Sequence, residues 1–333
     1  MKIRLFCIAL CLCVFTACEK DEPVISDEPI VPPTEQPEEP GIPTEPEQPD
    51  EPQEPMSTDG IINWNNEFII VGRNNMATIG NNQWNSICYG NGKYVVVGDD
   101  DRAYSSDGVN WTKMLGYNEL YGVCYGAGIF VAVGNSGTFV YSTDGINWTN
   151  KASGTEVRKS VCYGDGKFIA VGYNGNSYFS DEGAISYSSD GINWTNKVLG
   201  GKGLFGVCYG NGKFVAVGYN GAVAYSTDGV NWTTTTVGSS TWNGICYGNG
   251  KYVAVGESGA IAYSTDGVNW ELTTAGSSDW NSVCYDNIKF VAVGESWSSS
   301  GYYNGYIAHS TDGVNWTTKL NGEKGLKGIC PVQ

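Results

Sequence analysis

Tyr104-Ser105-Ser106-Asp107-Gly108-Val109-Asn110-Trp111 is the stretch that decides the fold, because the chain repeats it almost unchanged at 141–148, 187–194, 225–232 and 263–270. A sixth copy, at 309–316, begins with His309 in place of tyrosine. From Asp107 through Asp144, Asp190, Asp228 and Asp266 to Asp312 the steps are 37, 46, 38, 38 and 46 residues. A fixed period near 40 marks a repeat architecture, in which each unit is one supersecondary element that buries its faces only against its neighbours.

The unit between two copies is legible at 243–273. Asn-Gly-Ile-Cys-Tyr-Gly is a short apolar run, Asn-Gly-Lys a turn, and Tyr-Val-Ala-Val-Gly a second run. Glu-Ser-Gly turns the chain again, 260–264 is a third run, Thr-Asp-Gly a turn, and 268–273 closes the unit. Four strands of about five residues joined by Asn-Gly and Asp-Gly turns form an antiparallel meander. The runs are apolar on both faces, so each small sheet needs cover on both sides. No segment within the repeats carries a helical period long enough to supply that cover. Sheets therefore stack on sheets, and radial repetition does this while protecting the edges. The expected fold is all-β, a seven-bladed β-propeller of four-stranded antiparallel blades.

The second run occurs seven times, at 68–72, 94–98, 130–134, 168–172, 214–218, 252–256 and 290–294. The first occurs eight times, beginning at Gly60, Ser86, Gly122, Ser160, Gly206, Gly244, Ser282 and Gly328. The first unit is degenerate: after 76–79 it passes into the next blade without an Asp-Gly turn or a clear fourth strand. The C-terminal strand around Ile329 is expected to close the ring against the first blade. Whether that strand or the one near Ile61 is innermost stays open at this point.

The repeated phrase resembles the Asp-box, or bacterial neuraminidase repeat, of sialidases and related propellers, with glycine one residue earlier than in the usual form. The resemblance covers residues 57–333 and implies that the box is a structural turn on the face away from the ligand. The residues agree with that role: aspartate accepts hydrogen bonds from nearby amides, glycine supplies a positive φ, and tryptophan fills space between blades.

Residues 1–17 carry Lys2 and Arg4, an apolar run and Ala17 before Cys18, a pattern similar to a bacterial lipoprotein signal. The run is too short to span a bilayer as a helix. The resemblance implies a lipid anchor on Cys18, and 19–22 (Glu-Lys-Asp-Glu) resembles the signal that sends Bacteroidetes lipoproteins to the outer cell surface. An outer-membrane, surface-exposed location is the expectation. Residues 18–56 read as a disordered acidic tether, since 19–56 hold 11 of the 12 prolines and 13 carboxylates against one lysine. That segment supplies −12 of the formal −16 charge, so the propeller at 57–333 is only mildly acidic. With no basic cluster, nucleic acid is not an expected partner.

Of the 11 cysteines, Cys88, Cys124, Cys162, Cys208, Cys246, Cys284 and Cys330 hold one place in successive first strands. They read as small apolar filler rather than disulfides or zinc ligands. His309, the sole histidine, reads as a packing residue. No metal and no cofactor are expected.

Positions at which the blades differ are free to serve recognition. Four residues before each repeat cysteine stand Trp84, Leu120, Arg158, Leu204, Trp242, Trp280 and Leu326; the next residues are Asn85, Tyr121, Lys159, Phe205, Asn243, Asn281 and Lys327. After the second run come Arg73, Asp99, Asn135, Tyr173, Tyr219, Glu257 and Glu295. The two 46-residue steps carry insertions between the second and third runs of blades four and seven, bringing Tyr178, Phe179, Asp181 and Glu182 opposite Trp297, Tyr302 and Tyr303. The candidate ligand-binding residues are Trp84, Tyr121, Arg158, Tyr178, Phe179, Phe205, Trp242, Glu257, Trp280, Glu295, Trp297, Tyr302 and Tyr303. Aromatic faces among amides and carboxylates suit a glycan, or a surface protein.

The leading expectation is a surface-anchored, non-catalytic glycan-binding module. A protein-interaction or assembly scaffold is the alternative, as the resemblance to photosystem-assembly propellers with similar repeats implies. A sialidase is the lesser alternative. The resemblance implies three arginines on the substrate carboxylate, and outside the signal only Arg73, Arg102 and Arg158 are available. Glu257 and Glu295 could form a carboxylate pair for glycoside hydrolysis.

Overall fold

The computed structural model describes residues 60–73, 83–116, 118–175, 182–299, 301–322 and 324–332. Cys18, the signal and tether segments, the run at 76–79, and Tyr178, Phe179 and Asp181 lie outside these residues. Among the described residues seven antiparallel sheets follow one another along the chain, six of four strands and one of three. Blades 2 to 7 span 84–115, 120–152, 157–198, 204–236, 242–274 and 279–320.

Blade 1 is built from both ends of the chain. Phe68–Gly72 pairs on one side with Leu326–Pro331 and on the other with Ile61–Trp64. The C-terminal strand packs against the innermost strands of blades 2 and 7, so it takes the innermost place. Ile61–Trp64 therefore occupies the third-strand place, which corrects its reading as a copy of the first strand. Its hairpin to Phe68 turns through Asn65 and Asn66, both at positive φ (53° and 55°).

Each second strand is buried along its length, and its alternate side chains serve two different interfaces. Val95 and Val97 pack with Leu120 and Phe130 of blade 3, while Tyr94 and Val96 pack with Ile69 and Val71 of blade 1. Seven such clusters form, one between each pair of neighbouring blades. The last joins Val291 and Val293 to Phe68 and Ile329, so the ring is closed. Each fully buried apolar side chain contributes about 1.5–3 kcal/mol, which explains a period-2 strand that reads as an unbroken apolar run. The outer strands, such as Thr233–Thr236, are exposed and threonine-rich.

The repeated turn is a hydrogen-bonded knot. In blade 3, Asp144 Oδ1 accepts from the Ile146 and Asn147 amides at 2.8 Å, Asp144 Oδ2 accepts from Asn147 Nδ2, and Gly145 N donates to Ser142 Oγ. These donors hold the carboxyl well below the usual carboxylate range. Trp148 packs beside the interface between blades 2 and 3. Because the turn follows the third strand, it lies on the face opposite the loops between second and third strands.

Candidate functional site at the channel mouth

One irregularity recurs in all seven blades and builds the site. The innermost strand carries a β-bulge, between Trp84 and Ser86 in blade 2 and at the matching position elsewhere. The extra residue in each is Asn85, Tyr121, Lys159, Phe205, Asn243, Asn281 or Lys327. A bulge leaves its extra residue outside the ladder and re-aims the side chain, and all seven line the axial channel. The glycine ending each second strand lies against this feature. A Cβ on Gly134 would sit 1.9 Å from Glu119 O, and one on Gly172 would sit 1.8 Å from Val157 O. The bulge and the glycine are one packing solution, repeated seven times.

Above the ring the channel opens into a cavity of about 550 Å³, lined also by Arg73, Gln83, Asp99, Glu119, Tyr219, Thr241 and Glu257. Below it lies a chamber of about 130 Å³. Its walls include Ser86, Ser160, Ser282 and the backbone at Gly122, Gly206, Gly244 and Gly328. These small residues let inner strands approach closely: a Cβ on Gly122 would lie 3.0 Å from Ser160 Cα.

The ring side chains are held from below and beside. Asn85 Nδ2 donates to Asp99 Oδ1 and to Leu120 O, both at 2.9 Å. Asn243 Nδ2 donates to Trp280 O at 3.0 Å and Asn281 Nδ2 to Leu326 O at 2.7 Å, so the amides lace adjacent blades together. The Lys159 ammonium rests 3.5 Å from the centroid of the Tyr121 ring. Burial pulls its pKa down to about 8, against the support of Glu119 and Asp99. Asp99 is pushed up by burial and by Glu119 and Asp100, while Asn85 and Arg73 pull it down. Glu295 is buried between two cations: Lys327 Nζ lies 2.6 Å from Oε1 and Arg73 Nε 3.0 Å from Oε2. Burial lowers the Lys327 amine and Glu295 pulls it back up.

The structure redistributes the sequence-predicted candidates. Tyr121 and Phe205 line the channel and Glu257 is exposed at its mouth. Trp84, Trp242 and Trp280 are buried between blades, at 2 %, 1 % and 0 % exposure, and offer no ring face to a ligand. Their indole N–H groups are used inside: Trp242 donates to Val237 O and Trp280 to Ala275 O. They precede the bulge by one residue, so they point away from the channel. Arg158, at the same position, is fully buried in blade 4, donating to Ser186 Oγ and lying 3.5 Å from Glu156. Glu295 is locked in its ion cluster rather than paired with Glu257. His309 is exposed rather than packed. Arg102 lies over Trp148, so of the three arginines only Arg73 lines the mouth.

The blade-7 insertion continues its hairpin, pairing Glu295 with Gly305, Ser296 with Asn304 and Trp297 with Tyr303. Tyr303 packs edge-on to Trp297 and under the Arg73 guanidinium, 4.2 Å away. Trp297 and Tyr302 are left 64 % and 54 % exposed. Gln83, Glu119 and Thr241 were not singled out from the sequence; the signal was there, since the residue before each inner strand also differs between blades. The seven repeat cysteines are free, and burial pushes their thiols up, Cys330 to about 12. Among the described residues no group of three or more His, Cys, Asp or Glu is placed to hold a metal ion.

No protein-family model and no curated protein sequence matches the chain. Solved structures do. YCF48 from Cyanidioschyzon merolae is 13 % identical with a TM-score of 0.53, over 79 % of this chain and 97 % of that one. The WD40 propeller domain of Doa1 is 12 % identical with a TM-score of 0.53, over 74 % and 91 %. A quinonprotein alcohol dehydrogenase-like protein from Bacteroides thetaiotaomicron is 13 % identical with a TM-score of 0.53, over 78 % and 71 %. Likeness at this identity concerns the fold, a seven-bladed propeller.

Proposed function

We propose that this protein is a non-catalytic binding module that recognises glycan at the channel mouth, tethered by a lipid on Cys18 to the outer surface of its cell. The observation that carries the reading is the bulge ring. The fold fixes seven equivalent, rigidly held positions, and the chain fills them with two aromatics, three amides and two lysines. Tyr121, Phe205 and Tyr219 offer ring faces, while Asn243, Asn281 and Gln83 offer amides to hydroxyls. A scaffold held together by seven interfaces can position such groups without rearrangement, which limits the entropy lost on binding.

The test is a glycan array probed with protein lacking residues 1–56, followed by Tyr121→Ala and Phe205→Ala variants. Binding that both variants lose supports the reading, and a blank array removes it. A second reading, docking of a protein partner, has one observation of its own: Trp297 and Tyr302 stand exposed on the blade-7 hairpin, outside the cavity walls. Loss of partner capture in Trp297→Ala, with the array blank, favours that reading.

A further inference from the structure

The mouth of the channel is chemically uneven around its rim. Its cations come from blades 1 and 4 and are engaged there: Arg73 and Lys327 on Glu295, and Lys159 over the Tyr121 ring. Blades 5 to 7 line the same cavity with Phe205, Tyr219, Asn243, Glu257 and Asn281, and with no lysine or arginine among the described residues. Strand register brings these groups together. Asn243 and Glu257 both adjoin the paired Trp242 and Gly256 of blade 6, and Phe205 and Tyr219 both adjoin the paired Leu204 and Gly218 of blade 5.

The polar groups that this side presents are acceptors. Asn243 and Asn281 use Nδ2 on Trp280 O and Leu326 O, which leaves each Oδ1 to the cavity. The Glu257 carboxylate is exposed, and among the described residues it accepts no hydrogen bond and joins no ion pair. Asp279 brings a second carboxylate to the same turn, its Oδ1 accepting from Ser258 N at 2.8 Å. A full negative charge, two amide oxygens and aromatic faces, with no cation among them, match an organic ammonium. Such a group donates up to three hydrogen bonds and is attracted to ring faces. A hydroxyl would use the acceptors but leave the charge unmatched.

We propose that blades 5 to 7 form a subsite for a protonated amine on the glycan, the free amino group of a deacetylated amino sugar. The proposal rests on the glycan reading and narrows it to cationic saccharides. The ammonium lies against Glu257, the Asn243 and Asn281 oxygens accept from it and from neighbouring hydroxyls, and Phe205 covers the apolar face of the sugar. A cavity of about 550 Å³ has room for a sugar ring with its substituents. Acetylation of the amine removes the charge and two of its three donors, so an acetamido sugar leaves Glu257 unmatched.

Isothermal titration of the full chain tests this with three oligosaccharides of one length and linkage that differ only at carbon 2, which bears an amino, an acetamido or a hydroxyl group. The measurement is made at about pH 6, below the range of an amino group and above that of a carboxylate. The amino form should bind roughly 3- to 30-fold more tightly than either of the others, the worth of one exposed ion pair and one cation–π contact. Glu257→Gln should weaken the amino form by roughly 2- to 5-fold and leave the hydroxyl form unchanged. Asp165→Asn removes an exposed carboxylate from the turn between the first two strands of blade 4, at the opposite face, and should change neither. That variant, with the acidic tether common to every protein, controls for general attraction of a cation. Thermal melts establish that each variant is folded. An amino form bound no more tightly than the other two, or a preference that Glu257→Gln leaves intact or Asp165→Asn lowers equally, overturns the ammonium subsite and leaves the glycan reading standing. Failure of all three forms to bind overturns both.

Discussion

Replacing Glu295 by glutamine tests how the ring is latched. Glu295 belongs to blade 7, Lys327 to the C-terminal strand of blade 1, and Arg73 to the end of the strand that pairs with it. One carboxylate thus joins three segments that the chain brings together only at ring closure. The Glu295 side chain is 8 % exposed, Lys327 17 % and Arg73 30 %. Removing one partner of a buried ion pair costs about 3–5 kcal/mol; partial exposure of the cations reduces this to about 2–4 kcal/mol. Glutamine keeps the shape and one acceptor, so the loss reports charge rather than a cavity. For a domain of this size the melting temperature should fall by roughly 5–10 °C, with a matching shift in the urea midpoint. Without Glu295 the lysine amine drops further. Between that lowered value and pH ~10.4 the native state then binds fewer protons than the unfolded chain, so the deficit should shrink as pH rises through this window. The double variant Glu295→Gln/Lys327→Gln should recover most of the loss, because no buried ammonium remains unpaired. A single variant within 0.5 kcal/mol of the parent, or a double variant whose losses add, would refute the latch.

The other expectations are shorter. The six turn carboxylates titrate below their unfolded value, so their contribution is complete above pH ~4 and is lost as pH falls from there. Urea midpoints should hold steady from pH 8 to 5 and then fall, less steeply in Asp144→Asn. Gly172→Ala drives a Cβ into Val157 O at 1.8 Å and should cost about 3 kcal/mol or more. Gly92→Ala meets nothing within 4 Å and should cost only the positive-φ strain, about 1 kcal/mol; equal losses by chemical denaturation would contradict the packing argument. Iodoacetamide at pH 8 should label none of the seven repeat cysteines in the native propeller within an hour and all of them in urea, read by mass spectrometry.

How much of the site was legible follows from the geometry of one bulge. The sequence showed that Trp84 and Asn85, with their counterparts, vary from blade to blade, and it drew candidates from both positions, Trp84, Arg158, Trp242 and Trp280 from the first and only Tyr121 and Phe205 from the second. In a sheet covered on both faces, alternation alone does not say which residue meets solvent, because neither face is the solvent face. The channel lies along the sheet edge, and only the bulge turns a side chain toward it. Trp84, Trp242, Trp280 and Arg158 therefore went inside, while Lys159, Lys327 and the three asparagines emerged. Glu295 illustrates the same limit: its partners lie 222 and 32 residues away in the chain and meet it through ring closure.

By itself the sequence determined the period, the seven-fold count, the hairpin turns and the hydrogen bonding of the repeated Ser-x-Asp-Gly turn, since each depends on residues close together in the chain. Short-range sterics and hydrogen bonding act there, and Asn-Gly, Asp-Gly and alternating apolar runs specify them locally. Tertiary structure alone decided which strand takes the innermost place in the first blade, which variable residues face the channel, and where charges meet. Those outcomes depend on contacts between distant segments, and a ring has no ends from which a linear pattern could count them.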